Sequence, residues 1–243
     1  MNADELESLI SKCLSEFYER RLQKVKGLKL KASLLRKNPY LFRALGTQKA
    51  SEIVERLLND YISASDETIF GDAFFEPIAL VVSGGKVSDA AGVDIIIESE
   101  QSYTAIALKS GPNPYNASQK RRQNDEFLAV RSRLYKIHKQ FDPILGHAYG
   151  RVNKPNANVI YRDSSGQVFW QEITGDPDFY LKLIRLMKDE PAKHRKEYEP
   201  EWEAAVNRFT AEFISDFCFP DGKIDWEKLV QFVSAERSLK SKP

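Results

Sequence analysis

Two residues at the ends of adjoining apolar runs could do chemistry together. Asp94 opens the run 93–98 and Lys109 closes the run 103–108. Both runs are rich in Ile, Val, Tyr and Thr, which favour strands. The polar Ser99, Glu100, Gln101 and Ser102 between them suit a hairpin turn, and the Ser-Gly-Pro-Asn-Pro of 110–114 cannot continue a strand. A hairpin here would set a carboxylate beside an ammonium. A strand-borne carboxylate can bind a divalent cation, and a neighbouring lysine can poise a water. Those are the components needed to hydrolyse a phosphodiester. A second acid, Glu76, interrupts the apolar helical stretch 69–80. Because a buried unpaired charge is costly, it is either paired with a base, held for a purpose, or at the helix edge on the surface.

The elements that must position these residues can be read from periodicity. Residues 3–25 carry apolar side chains at Leu6, Leu9, Ile10, Cys13, Leu14, Phe17, Tyr18, Leu22 and Val25, one face of a helix. A second helix starts near Ser51 with its stripe at Ile53, Val54, Leu57, Leu58, Tyr61 and Ile62. The run Ser65-Asp66-Glu67-Thr68 is expected to break it and to cap the stretch 69–80. Residues 116–139 predict a helix with Phe127, Val130, Leu134 and Ile137 on its apolar face. Strands are expected at 143–150, 158–161 and 167–172, the last two around a turn at 163–166. Helices are expected at 179–188, capped by Asp178, and at 201–218 and 226–232.

Composition narrows the function classes. The chain has 243 residues, 42% hydrophobic and 29% charged, as expected of a soluble globular protein. No apolar run approaches the ~20 residues of a membrane span, and the acidic, amphipathic start is unlike a signal peptide, so no membrane is expected and a cytoplasmic location is. Cys13 and Cys218 sit in apolar helical patterns and are expected to be reduced thiols, and His138, His147 and His194 show no zinc-like spacing.

The net charge of +1 conceals a strong segregation. Residues 20–43 hold nine Lys/Arg and no acid; 44–108 hold three bases and eleven acids; 109–162 hold eleven bases and three acids. Basic blocks on either side of an acidic one suit a nuclease, with cations on phosphates and acids on metal. Arg36, Lys37 and Arg43 in the first block, and Lys120, Arg121 and Arg122 in the basic helix, are the candidate backbone contacts. Asn113, Asn116, Ser118, Arg151, Asn153 and Lys154 are candidates for base edges. Each basic block could also be an ordinary solvated face.

The order helix–Glu, strand–Asp, strand–Lys resembles the PD-(D/E)xK nuclease fold. The chain is similar in particular to the PmeII-type family of type II restriction endonucleases. The similarity rests on LLRKNPYLFRALG (34–46), SASDETIFGDAFFEPIA (63–79), AGVDIIIE (91–98), LKSGPNPYNASQ (108–119), YGRVNKP (149–155) and DGKIDWEKLVQF (221–232). The resemblance implies Mg²⁺-dependent cleavage of double-stranded DNA at a short specific sequence. It implies Asp94 as a metal ligand, Lys109 as the residue that positions or activates water, and Glu76 as a further metal or water ligand. There is one departure: the second acid of the motif falls on Ala107, which cannot bind metal. Gln119 is a candidate substitute, and Asp125 or Glu126 could reach in from the basic helix.

The expected architecture is therefore α/β: a mixed central sheet of restriction-endonuclease type with flanking helices and helical N- and C-terminal elaborations. It is taken as one nuclease domain over 1–243, in which a catalytic core, 63–175, lies between helical segments at 1–62 and 176–243. A homodimer is the default for reading a palindromic site. Two alternatives remain: a DNA-binding or regulatory protein that kept the fold and lost the chemistry, for which Ala107 speaks, and a structure-specific repair nuclease.

Overall fold

The hairpin expected around 99–102 lies in a mixed sheet. A computed structural model describes residues 2–112, 114–134, 139–155 and 158–236. Among these, five strands follow in the order β1 (Lys86–Val87), β2 (Ile95–Glu98), β3 (Ser102–Lys109), β4 (Gln140–His147) and β5 (Arg162–Ser165). The pairs β1–β2 and β2–β3 are antiparallel, with Ile95 opposite Ile106; β3–β4 and β4–β5 are parallel, with Lys109 opposite His147. The helices are α1 (Ala3–Gly27), α2 (Leu30–Leu34), α3 (Pro39–Ala44), α4 (Ala50–Phe70), α5 (Glu76–Val82), α6 (Ala117–Leu134), α7 (Gln167–Thr174), α8 (Phe179–Leu186), α9 (Glu190–Phe217) and α10 (Trp226–Ser234). A π-helical turn, Gly71–Phe75, joins α4 to α5.

The chain divides into two compact units, Met1–Phe17 with Glu67–Ala192, and Tyr18–Asp66 with Lys193–Pro243. The first holds the sheet. Strand alternation assigns its faces. Ala105, Ala107 and Leu145 join Val93 and the α6 residues Phe127, Val130 and Leu134 in one apolar cluster. Ile106, Leu108 and Ile144 join side chains of α1, α5, α7 and α8 in another, including Ile10, Ile78, Trp170 and Leu183. Helices therefore cover both faces, which is why Ala105, Ile106, Ala107 and Leu108 form an unbroken buried run. The second unit is helical, with Val54, Leu58, Phe209, Phe213 and Leu229 in its core.

Several sequence expectations are corrected by long-range contacts. Helix α4 does not stop at 65–68. Asp66 forks with Arg21 at 2.8 and 3.1 Å and Ser65 Oγ lies 3.5 Å from the Tyr61 carbonyl oxygen, so neither side chain caps a new helix. The stretch 167–172 is the helix α7 and not a strand, and the expected turn at 163–166 supplies the strand β5. Residues 158–161 make turns and bends ahead of β5 and no strand. Phe169, Trp170 and Ile173 are spaced to bury one helical face, and Gly166, at φ +55°, makes the sharp change of direction from strand to helix. The polar β5 is sustained by its ladder to β4 and by partners for its side chains: Arg162 bonds Asp142 and Glu172, and Ser164 donates to Glu172 at 2.8 Å. Strand β4 runs from 140 to 147, with Pro143 ahead of the point where β5 begins to pair at Ile144. Helix α9 begins at Glu190, well ahead of 201. Asp178 stands at the N-cap of α8 without a side-chain cap bond. Of the helix expected over 116–139, α6 covers Ala117–Leu134, residues 135–138 with Ile137 lie outside the described residues, and Lys139 is not helical. Both cysteines are free thiols, and burial pushes Cys13 up to about 11.

Trp170 is the largest side chain among the fully buried ones, and its indole N–H donates to the Ala148 carbonyl at 2.8 Å. Trp170→Ala should cost about 3–5 kcal/mol through the cavity it leaves. Chemical denaturation followed by circular dichroism measures the loss.

Candidate active site

Asp94 and Lys109 meet where the hairpin opens. The Asp94 backbone N–H donates to the Ile106 carbonyl at 2.8 Å, which continues the β2–β3 pairing one residue ahead of β2. The Leu108 N–H donates to Asp94 Oδ2 at 2.7 Å, so the carboxylate is fixed against the backbone of β3. Lys109 Nζ lies 3.6 Å from the same Oδ2. The two side chains are 32% (Lys109) and 27% (Asp94) exposed, half-buried but open to solvent and substrate.

Lys109 also lines a cleft of about 490 Å³ with Glu67, Asp72, Glu76, Ser110, Pro112, Tyr115 and Tyr149. The π-helical turn sets up this wall. It follows directly on α4 and presents Asp72, and Glu76 opens α5. The wall is tied to the β3 exit because Ser110 Oγ donates to the Glu67 carbonyl at 2.8 Å and packs on Gly71. Tyr149 is pushed up by burial and then by Glu67. A larger cavity of about 850 Å³, lined by Phe74, Trp170, Tyr180 and Ile184, contains no carboxylate and offers no comparable chemistry.

The loop after Lys109 is braced from β4 and β5. His147 is buried, its Nδ1 3.0 Å from the Gly111 carbonyl and its Nε2 2.9 Å from Asp163 Oδ1. A second brace lies under the residues ahead of Asp94. Gln123 of α6, 3% exposed, donates Nε2 to the Gly92 carbonyl at 2.7 Å and accepts from the Tyr115 hydroxyl at 2.7 Å. Burial first, then the charge of Asp94, raises Tyr115 well above the usual phenol range. His147, Asp163, Gln123, Tyr115, Glu67 and Asp72 carried no sequence signal as site residues. Their role follows from parallel pairing and helix packing.

The remaining candidates fall into three groups. Asn116, Ser118 and Gln119 form the N-terminal cap of α6: Asn116 Oδ1 accepts from Ser118 and Gln119, and Gln119 Oε1 accepts from the Asn116 N–H at 2.9 Å. Lys120, Arg121 and Arg122 follow as exposed cations on its first turns, while Arg151 and Lys154 are exposed after β4. Asn153 accepts from the Ser165 N–H at 2.7 Å. Arg36, Lys37 and Arg43 belong to the other unit, with Lys37 paired to Asp60 and Arg43 over the Trp226 ring. Asn113 lies outside the described residues. Ala107 is fully buried in the cluster under α6, and Asp125 is exposed.

A mixed sheet with helices on both faces and an Asp–Lys pair at the mouth of a central hairpin defines a restriction-endonuclease-like nuclease core. The comparison with known families agrees: the chain matches the type II restriction endonuclease EcoO109I family over residues 4–196. That is well over half of its length, and the chain belongs to this family. The match supports the type II class of the resemblance read from the sequence and does not extend to its PmeII branch. No curated protein matches the chain. No described helix is long and apolar enough to cross a membrane.

His147→Ala removes both brace bonds and leaves Asp163 and the Gly111 carbonyl to find new partners. It should lower stability by about 1–3 kcal/mol, measured as a shift of the denaturant midpoint at unchanged slope.

Proposed function

We propose that the protein is a Mg²⁺-dependent, site-specific endonuclease that hydrolyses phosphodiester bonds in duplex DNA. The observation that carries this reading is Lys109 Nζ held 3.6 Å from Asp94 Oδ2 at the mouth of the central hairpin. The donor chemistry fits a hard cation: Asp94 is an oxygen ligand fixed by a backbone N–H, and Glu76 lines the cleft that Lys109 enters. When bound, Mg²⁺ would neutralise charge on the scissile phosphate and lower the pKa of an attacking water.

Asp94, fixed by the Leu108 N–H, would hold the cation beside β3. Lys109 orients the water for in-line attack and offsets charge that develops as the 3′ oxygen leaves. Glu76 is a further ligand or water-orienting group. Lys120, Arg121 and Arg122, with Arg151 and Lys154, hold phosphates; Arg36, Lys37 and Arg43 extend the backbone contacts. Asn116, Ser118, Asn153 and Gln119 sit on loops or the cap near these cations in sequence and, with Asn113, would act at the DNA surface. A short palindromic site is read by two equivalent copies, so the active form is a homodimer. It works in the cytoplasm, where incoming DNA is met. A second reading, a DNA-binding protein without cleavage, is favoured by Ala107, whose place in the motif is buried among apolar side chains.

Digestion of unmethylated plasmid or phage DNA separates the two. Discrete bands with Mg²⁺, absent with EDTA, are expected. Asp94→Ala and Lys109→Ala should each lower the rate by orders of magnitude at unchanged DNA binding. Intact DNA beside a persistent gel shift would select the binding protein.

The basic turns of α6 make a separate prediction. Lys120→Ala and Arg121→Ala should each weaken binding and reduce the slope of log affinity against log salt by about 0.9, read from gel shifts across a salt series.

A further inference from the structure

The motif lacks one acid, and strand alternation defines where that acid would point. Ala105 and Ala107 lie in the cluster under α6, whereas Ile106 and Leu108 lie on the opposite face. Lys109, two residues beyond Ala107, continues the α6 side. The helix that covers that face is α6, and its acids are Asp125 and Glu126.

On α6, Gln123 and Glu126 share a side, three residues apart. Gln123 holds the Gly92 carbonyl. Glu126 presses its carboxylate onto Gly92 itself: a side chain there would collide with Glu126 Oε2, and Gly92 has a φ of +71°. Only Val93 separates Gly92 from Asp94, at most ~7 Å of chain. Tyr115 senses the charges of both Asp94 and Glu126.

The ordinary explanation for Glu126 is its pair with Arg122, Nε to Oε1 at 2.9 Å. Arg122 is 81% exposed and Glu126 18%. Such a solvent-exposed i,i+4 pair is weak, and it engages Oε1 while Oε2 faces Gly92. Gln119 has its oxygen taken by the α6 cap, and Asp125 is exposed. Glu76 lines the Lys109 cleft from the start of α5 and keeps its separate role as the further ligand or water-orienting group.

We propose that Glu126 supplies, from α6, the second carboxylate of the cation site built on Asp94, in place of the acid that Ala107 cannot provide. This rests on the reading of Asp94 as a cation ligand. Among the described residues no group of three or more His, Cys, Asp or Glu is arranged to hold a metal. Asp94 and Glu126 make two, and water and the scissile phosphate complete the shell. The cation then binds weakly until DNA arrives.

The test reads Mn²⁺ binding directly, by the loss of the free-ion electron paramagnetic resonance signal, on the full chain with and without plasmid DNA. It needs no turnover. Glu126→Gln should weaken Mn²⁺ binding by ~10-fold or more, whereas Asp125→Asn, which removes an exposed carboxylate from the same helix, should leave it at the wild-type value. Wild-type binding by Glu126→Gln beside lost binding by Asp94→Asn overturns the role of Glu126 and leaves the cation site intact. Wild-type binding by Asp94→Asn as well overturns the underlying reading. If Glu126→Gln melts below the wild type, Glu126→Asp keeps the charge and shortens the arm; weakened binding supports the proposal and wild-type binding overturns it.

Discussion

The hydrogen bond from the Leu108 N–H to Asp94 Oδ2, at 2.7 Å, is the contact on which the site depends. Asp94 lies just ahead of β2, and its carboxylate takes over as acceptor for the main chain of β3. A hydrogen bond to a charged group of this kind contributes about 1.5–3 kcal/mol. It also makes the positions of Asp94 and Lys109 interdependent, because Leu108 is the residue before Lys109. A slip of the hairpin by one residue would turn Lys109 to the opposite face and separate the pair.

Three braces keep that register from the outside. Gln123 and Tyr115 secure the Gly92 carbonyl ahead of Asp94; His147 and Asp163 secure the Gly111 carbonyl beyond Lys109; Ser110 secures the end of α4. Each joins elements distant in sequence, and each acts on backbone, so the reactive side chains remain open to substrate. This division would suit the proposed cation site, whose ligands are completed only when DNA arrives. The half-exposed Asp94 and Lys109 are partly screened by solvent, and expulsion of water by bound DNA would strengthen their fields.

Helix α6 serves two surfaces at once. Gln123, Phe127, Val130 and Leu134 are buried against the sheet, while Lys120, Arg121, Arg122, Arg131 and Arg133 are exposed. The same helix that packs over Ala105 and Ala107 therefore presents a row of cations beside the site. With alanine at 107, the sheet allows a close apolar approach of α6, and that approach brings Glu126 onto Gly92.

The hairpin, the Asp94–Lys109 pairing, the basic helix and the restriction-endonuclease class were legible in the sequence. They rest on local signals: period-two runs of β-branched residues, turn residues between them, and motifs in a set order. The polar strand Arg162–Ser165 and the helix Gln167–Thr174 were not. A parallel ladder satisfies backbone groups whatever the side chains prefer, and a short apolar run fits either period. The continuation of α4 through 65–68 depended on Arg21, far away in sequence, drawing Asp66 from a capping role. The placement of Arg36, Lys37 and Arg43 in a separate unit from Asp94, and of Glu126 beside Gly92, came from packing alone. Sequence by itself determined which residues could do the chemistry, because residue type and local period are properties of short stretches. Tertiary structure decided which of them meet, because that depends on register and helix docking between stretches that no local signal connects.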